Sequence, residues 1–360
     1  MPLRVTRLRL KDFRSYEAFE IEPGERITII VGANAIGKTN ILEALQLLTA
    51  ATSFRNPSWG ECVRWGANEA SLLLQAEGDL RKAEIRLDIS SLGRRTYSVN
   101  GTVKRRISGV RGGLPCVVFT PDDLRIVKDS AERRRAAIDS VGDQLSPAYS
   151  ALRGEYERTV RQRNAVLKTQ KPNDGVLQAL TERLRDTGGA FSGHRKRLFE
   201  RVSKRLNEAF TELVPGESVQ GEYESSWRRL GIGEDEDGAF ERALLLTEGE
   251  ERARGTTVVG PHRDEIRFLV DGRDARVYAS QGQQRTIALA WKLAEVSVIT
   301  EVGGQPPILL LDDVMSELDE SRRHALAAFV GKAAQTFVTT TNIGYFEQEM
   351  IDRALVVGLG

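Results

Sequence analysis

Gly32-Ala33-Asn34-Ala35-Ile36-Gly37-Lys38-Thr39-Asn40 decides how the rest of this chain is read. Its first eight residues fit the pattern G-x-x-x-x-G-K-[ST]. Arg26 to Val31 precedes them as a strand-like run ending in β-branched residues. Asn40 to Ala51 follows with helical composition, placing Ile41, Leu42, Leu45 and Leu48 on one face. Glycines let successive backbone N–H groups curl around an anion. The helix beyond turns its positive end toward the same point. Lys38 would then reach the β- and γ-phosphates of ATP, and the Thr39 hydroxyl would be a Mg²⁺ ligand. Strand, loop and helix agree, so a chance Gly-rich turn is a poor alternative.

Such a site needs a second carboxylate, and Ile308-Leu309-Leu310-Leu311-Asp312-Asp313 supplies it. Four apolar residues read as a buried parallel strand, and the carboxylates emerge at its C-terminal end, where open α/β sheets bind ligands. Asp312 is the expected Mg²⁺ partner, beside Thr39. Asp313 would orient or deprotonate the attacking water. The expected catalytic set is Lys38, Asp312 and Asp313.

Ser280-Gln281-Gly282-Gln283-Gln284 opens an apolar helix predicted over Gln283 to Thr300. A Ser hydroxyl and a Gly amide at a helix start make another anion site. One fold does not need two for one γ-phosphate, so this loop makes sense as a cover for the nucleotide of a second copy.

Composition sets the outer bounds. The chain has 360 residues, 40% of them hydrophobic, and 33 glycines, which is ordinary for a globular protein with a real core. No apolar run is long enough to span a membrane, and the N-terminal stretch lacks the apolar segment of a signal peptide. The expected location is cytoplasmic. Cys62 and Cys116 are far apart, and with His194, His262 and His324 they form no metal-ligand spacing. Net charge is only +1. From Val103 to Leu213, however, 23 Lys and Arg face 14 Asp and Glu, while the remainder holds 29 against 37. A basic middle inside an acidic rest suits either a polyanion-facing surface or a solvated helical one. Lys104, Arg105, Arg106, Arg133, Arg134, Arg135, Arg197 and Arg201 are the DNA-contact candidates.

Strand signals also fall at Val5 to Leu10, Phe19 to Ile21, Ala70 to Gln75, Ala83 to Ile89 and Thr96 to Val99, with a hairpin turn at Asn100-Gly101. Helix dominates from about Ser130. Two periodic segments, Pro147 to Thr169 and Val176 to Leu213, predict an antiparallel α-hairpin around a break at Lys171 to Gly175. Strands resume at Thr256 to Val259, Ile266 to Val270, Ile308 to Leu311, Phe337 to Thr341 and Ala354 to Val357. This divides the chain into a P-loop lobe (1–119), a helical insertion (120–230) and a C-terminal part of the ATPase domain (231–360).

Loop, signature, carboxylate strand and the following Ser316-Glu317-Leu318-Asp319 occur in the order of ABC-type ATPases, where the last would be the D-loop. Five stretches narrow this further: Lys11 to Arg14, Ser53-Phe54-Arg55, Thr120 through Asp139, Gly260 to Asp264, and Leu310 to Leu326. Together they resemble the RecF family, bacterial recombination ATPases related to SMC and Rad50 heads. The resemblance implies an α/β, SMC/Rad50-head-like P-loop fold with a mixed β-sheet and an inserted α-helical subdomain. It implies an ATP-dependent homodimer that binds single-stranded and gapped or junction DNA and helps RecO and RecR load RecA. It further implies weak, DNA-stimulated hydrolysis, and Asp313, where the superfamily usually has Glu, suggests slow turnover. Thr341 stands where many ABC ATPases place a histidine, and Gln75 is a candidate Q-loop residue. Gly260 to Asp264 reads equally as a functional turn or a structural one with His262 packed inside. The rival reading is a nucleotide-binding subunit of another ABC-type assembly, such as an SMC-like nuclease complex.

Overall fold

In the computed structural model, the described residues are 2–79, 81–105, 110, 113–169, 173–233, 238–330 and 333–360. The chain forms two compact units, one of Met1–Arg125 with Ala288–Gly360 and one of Ile126–Ile287.

The first unit holds two sheets. Strands β1 (Arg4–Phe13), β2 (Tyr16–Ile21), β4 (Glu69–Gly78), β5 (Arg81–Ser90), β6 (Arg95–Val99) and β7 (Thr102–Lys104) pair antiparallel in the order β2-β1-β4-β5-β6-β7. Asn100 and Gly101 both take positive φ, as the expected hairpin requires. Strands β3 (Ile27–Val31), β8 (Cys116–Phe119), β12 (Ile308–Asp312), β13 (Gln335–Thr340) and β14 (Ala354–Gly358) pair parallel in the order β14-β3-β13-β12-β8. The mixed character expected from sequence is thus sorted into separate sheets. Helix α1 (Lys38–Thr49) packs on both. Its Ile41, Leu42, Leu45, Leu47 and Leu48 are all fully buried, so it is buried on more than the one face expected.

The second unit contains α2 (Ala131–Leu145), α3 (Pro147–Leu167), α4 (Asp174–Leu213), α5 (Ala239–Arg254) and α6 (Ala275–Tyr278). It also contains the antiparallel sheet β11-β10-β9, formed by β9 (Val219–Glu224), β10 (Glu265–Val270) and β11 (Arg273–Asp274). Helices α3 and α4 form the expected hairpin. Ser146 caps α3 by accepting from the Tyr149 N–H, and Asn173 caps α4 by accepting from the Val176 N–H. The α4 stripe runs through Leu184, Phe191, Phe199, Val202, Leu206 and Phe210. Gly188 lets it approach its neighbours, since a Cβ there would lie 2.5 Å from the Phe240 ring and 2.9 Å from Tyr156. Remaining helices are α7 (Gln281–Gly303), α8 (Glu320–Val330) and α9 (Gln348–Asp352).

Two expectations are corrected. The second unit runs to Ile287, not to 230, because β9 packs on α4 and carries β10 and β11 with it. Thr256 to Val259 forms no strand. Side chains take the backbone partners instead: Thr257 N–H donates to Asn164 Oδ1 at 2.7 Å and Val258 N–H to Glu251 Oε1 at 2.9 Å.

Candidate nucleotide site

The loop from Gly32 to Thr39 leaves β3 and enters α1. Gly37 takes φ 112°, and a Cβ there would lie 2.9 Å from both Ser15 Oγ and Tyr16 Oη. Backbone conformation and crowding therefore both demand glycine. Lys38 is 6% exposed. Its Nζ donates to the carbonyls of Gly32 at 2.7 Å and Ala33 at 2.8 Å, so the ammonium is held over its own loop.

Thr39 Oγ1 donates to Asp312 Oδ1 at 2.8 Å. Parallel pairing explains the meeting, because β3 and β12 both flank β13 and end at the same edge. Thr339, on β13, also donates to Asp312 Oδ1 at 2.8 Å. No motif marks Thr339; its signal in the sequence is its place near the end of a strand rich in β-branched residues. Asp313 sits in the left-handed region at φ 51°. Its N–H donates to the Thr339 carbonyl at 3.1 Å. Its buried Oδ1 has no hydrogen-bond partner. Desolvation raises the Asp313 pKa, partly opposed by the Lys38 charge. A hydroxyl and two carboxylates beside a loop of free amides form a donor set that fits Mg²⁺ and a triphosphate.

The Lys11 to Arg14 and Ser53 to Arg55 stretches converge on one buried carboxylate. Glu43, fully buried on α1, accepts from Arg14 at 2.7 and 2.9 Å, Ser53 at 2.7 Å and Arg55 at 3.2 Å. Arg55 also donates to Asn40 Oδ1 at 2.7 Å, and Asn40 Nδ2 donates to Ser15 Oγ at 2.9 Å. Asn40 is thereby tied to the start of β2 and to Arg55. Gln75 lies on β4 and donates to Glu84 across the sheet at 3.0 Å.

Beyond Asp313, Ser316 Oγ donates to the Asp313 carbonyl at 2.7 Å and Leu318 is buried. Glu317 closes the short turn between them. Asp319 accepts the Arg322 N–H at 3.0 Å, which lowers its pKa. The Ser280 loop belongs to the second unit. Ser280 Oγ accepts the Gln283 N–H at 3.2 Å, and Gln283 Oε1 accepts the Ser280 N–H at 2.9 Å. This reciprocal capping box starts α7 immediately before Gln281 and Gly282. Gln284 Nε2 donates back to the Ala279 carbonyl at 2.6 Å.

The basic candidates divide by burial. Lys104, Arg105, Arg197 and Arg201 are partly or fully exposed; Arg106 lies outside the described residues. Arg133 pairs with Asp129 at 3.2 Å. Arg134 is a correction: it is 3% exposed, binding Glu265 at 2.8 Å and the Asp129 carbonyl at 2.6 Å, so it is buried rather than presented on a surface. Arg135 donates to the Asp264 carbonyl. Arg195, on the same helix as Arg197, is also buried and holds Asp139 through two 2.8 Å bonds. The Gly260 to Asp264 turn is hydrogen-bonded within the second unit. His262 Nδ1 meets the Tyr156 hydroxyl at 2.6 Å and Nε2 lies 3.2 Å from the Thr257 carbonyl, so the ring accepts at one nitrogen and donates at the other. Burial pushes its pKa down to about 4.

Comparison with known proteins follows the same lines. The RecF/RecN/SMC N terminal domain family matches residues 4–357. DNA replication and repair protein RecF of Symbiobacterium thermophilum is 38% identical over 93% of this chain and 91% of its own. Its counterpart in Halalkalibacterium halodurans is 35% identical over 98% of this chain and 97% of its own. A solved recombination mediator protein, RecF-ATP of the RecFOR pathway, aligns with TM-score 0.87 at 28% identity over 96% of this chain and 94% of that one.

Proposed function

The chain belongs to the RecF family, and from that premise we propose that it is a DNA-repair ATPase whose nucleotide controls assembly of a homodimer on DNA. The observation that carries the nucleotide half is the 2.8 Å bond joining Thr39 to Asp312. It brings the phosphate loop and the carboxylate strand to one point.

Lys38 leaves the Gly32 and Ala33 carbonyls to meet the β- and γ-phosphates, exchanging two neutral acceptors for charged ones. Thr39 and Asp312 would hold Mg²⁺, which neutralises phosphate charge as the γ-phosphoryl group leaves. Asp313 takes the proton of the water that attacks the γ-phosphorus, and the bond to the ADP oxygen breaks. Asp313 carries an unpaired, desolvated oxygen suited to accepting a proton, while its shorter arm, where the superfamily usually has Glu, accounts for slow turnover. The Ser280 loop covers the nucleotide of a second copy, with Ser316 to Asp319 lining the same junction. Family membership supports DNA at single-strand gaps and junctions as the polyanion, and RecO and RecR as partners in loading RecA. Lys104, Arg105, Arg133, Arg197 and Arg201 remain the proposed phosphate contacts, positioning DNA without reading bases.

Light scattering with Mg-ATP, ADP and no nucleotide tests the assembly. The expected result is a dimer with ATP alone, absent in Lys38→Met and Ser280→Arg and prolonged in Asp313→Asn. A monomer under every condition would leave the Ser280 loop without a role in trans and would end the reading.

A further inference from the structure

Trp65 leaves 96% of its surface in water. Yet the loop that carries it is firmly held. The Ala67 N–H donates to the Arg64 carbonyl at 3.0 Å, and Gly66 takes φ 86°, which makes Arg64 to Ala67 a type II turn with Trp65 at its tip. The Arg64 N–H donates to the Asp12 carbonyl at 2.8 Å, and the Arg64 side chain binds the Asp12 carboxylate at 2.7 Å. A second tight turn lies against the first. Gly93 N–H donates to the Ser90 carbonyl at 2.8 Å, and Ser91 N–H donates to the Asn68 carbonyl at 2.8 Å. Its tip residue, Leu92, is 85% exposed. Just after the second turn, the Arg95 guanidinium lies 4.0 Å from the centre of the Trp59 ring.

A large indole kept in water at the tip of a braced loop has no packing role in this unit. Flat π surfaces and guanidinium planes are what an unstacked base needs. Charge agrees, because Trp59 to Asn68 and Ser90 to Arg95 together hold three arginines and one acid, Glu61. The surface beside the loop is a polar cleft of mixed charge, in which Arg9, Lys11, Arg64 and Arg86 are interspersed with five carboxylates, rather than an apolar groove made for a protein side chain. We infer that the Trp65 tip, with the Trp59–Arg95 pair of the same two segments, is a stacking platform for unpaired bases of a single nucleic-acid strand. This rests on the DNA reading above and adds the place where a single strand would be told from a duplex, whose bases are already stacked.

The test titrates fluorescein-labelled (dT)20 and a 20-base-pair duplex into the full chain with Mg-ATP, using the parent, Trp65→Ala, Trp65→Phe and Leu92→Ser. The exposed position makes a folding defect in Trp65→Ala unexpected, and circular dichroism checks it. Stacking of one base is worth enough that Trp65→Ala should bind (dT)20 about five-fold or more weakly. Duplex affinity should be unchanged, and Trp65→Phe should recover most of the loss. Quenching of tryptophan fluorescence by (dT)20 should shrink in both Trp65 variants. Equal (dT)20 binding by parent and Trp65→Ala would overturn the platform while leaving DNA binding intact, and would assign the indole to a protein contact. A parent that binds neither oligonucleotide would overturn the DNA reading, and the platform with it.

Discussion

Asp313 combines three features that rarely coincide: a left-handed backbone, a buried oxygen without a partner, and a carboxyl whose pKa is raised by desolvation. A raised carboxyl pKa means that the charged form costs folding free energy at neutral pH. Asp313→Asn is therefore expected to abolish hydrolysis, by roughly 100-fold or more if general-base help is lost, without lowering the melting temperature. Loss of stability together with activity would place the residue in the scaffold instead. In the proposed mechanism Thr339 acts through Asp312, as a positioning residue. Thr339→Val removes the 2.8 Å bond at nearly constant volume. Outer-shell partners of this kind are worth about 10- to 100-fold in metal affinity or activity. The Mg²⁺ concentration for half-maximal hydrolysis should rise accordingly, and Thr339→Ser should restore it.

At the scale of the element, α1 shows how a helix can be both core and site. Its first turn holds Lys38, Thr39 and Asn40, and one turn further Glu43 is fully buried among two arginines and a serine. A buried carboxylate is tolerated only when its partners are in place, and removing one partner of such a pair costs about 3–5 kcal/mol. Glu43→Ala is thus expected to lower the melting temperature by about 10 °C, and to loosen Arg14 and Arg55 around Asn40. A scan showing no shift would mean that the arginines find other partners. Helix α7 begins differently, with its first amides satisfied by the Ser280–Gln283 exchange. Such a cap contributes about 1 kcal/mol. Ser280 thus serves its own helix as well as the proposed partner nucleotide, which is why Ser280→Arg is better paired with the milder Ser280→Ala in any assembly assay.

At the scale of the molecule, acid should weaken the fold through a known group. His262 is half-buried, and desolvation pushes its pKa down to about 4, which keeps it neutral. The unfolded chain takes up this proton near pH 6.5, so between about 6.5 and about 4 the unfolded state binds more protons and stability falls as pH drops. At 1.36 kcal/mol per unit the loss is about 3 kcal/mol across that window. Denaturant melts at stepped pH should show this slope in the parent and a flatter one in His262→Gln. Equal slopes would mean that other buried groups carry the acid sensitivity. Two motif stretches, Arg134-Arg135 and Gly260 to Asp264, are hydrogen-bonded within the second unit.

Local chemistry was legible from the residue order alone. The phosphate loop, the carboxylate strand, the Asn100-Gly101 turn and the α3–α4 hairpin depend on φ preferences, spacing and periodicity, all of which act within a few residues. The same local view could not tell which arginines would face water. Arg134 and Arg195 sit in basic clusters that read as solvated. Arg195, however, falls in step with the Phe191–Phe199 stripe, and its partner Asp139 lies 56 residues away. Nor could spacing reveal that Thr39 and Asp312, 273 residues apart, share a hydrogen bond with Thr339 at their side. Tertiary structure decided those points. Only parallel pairing of β3, β13 and β12 brings the strand ends together, and only packing decides whether a charge meets water or a carboxylate.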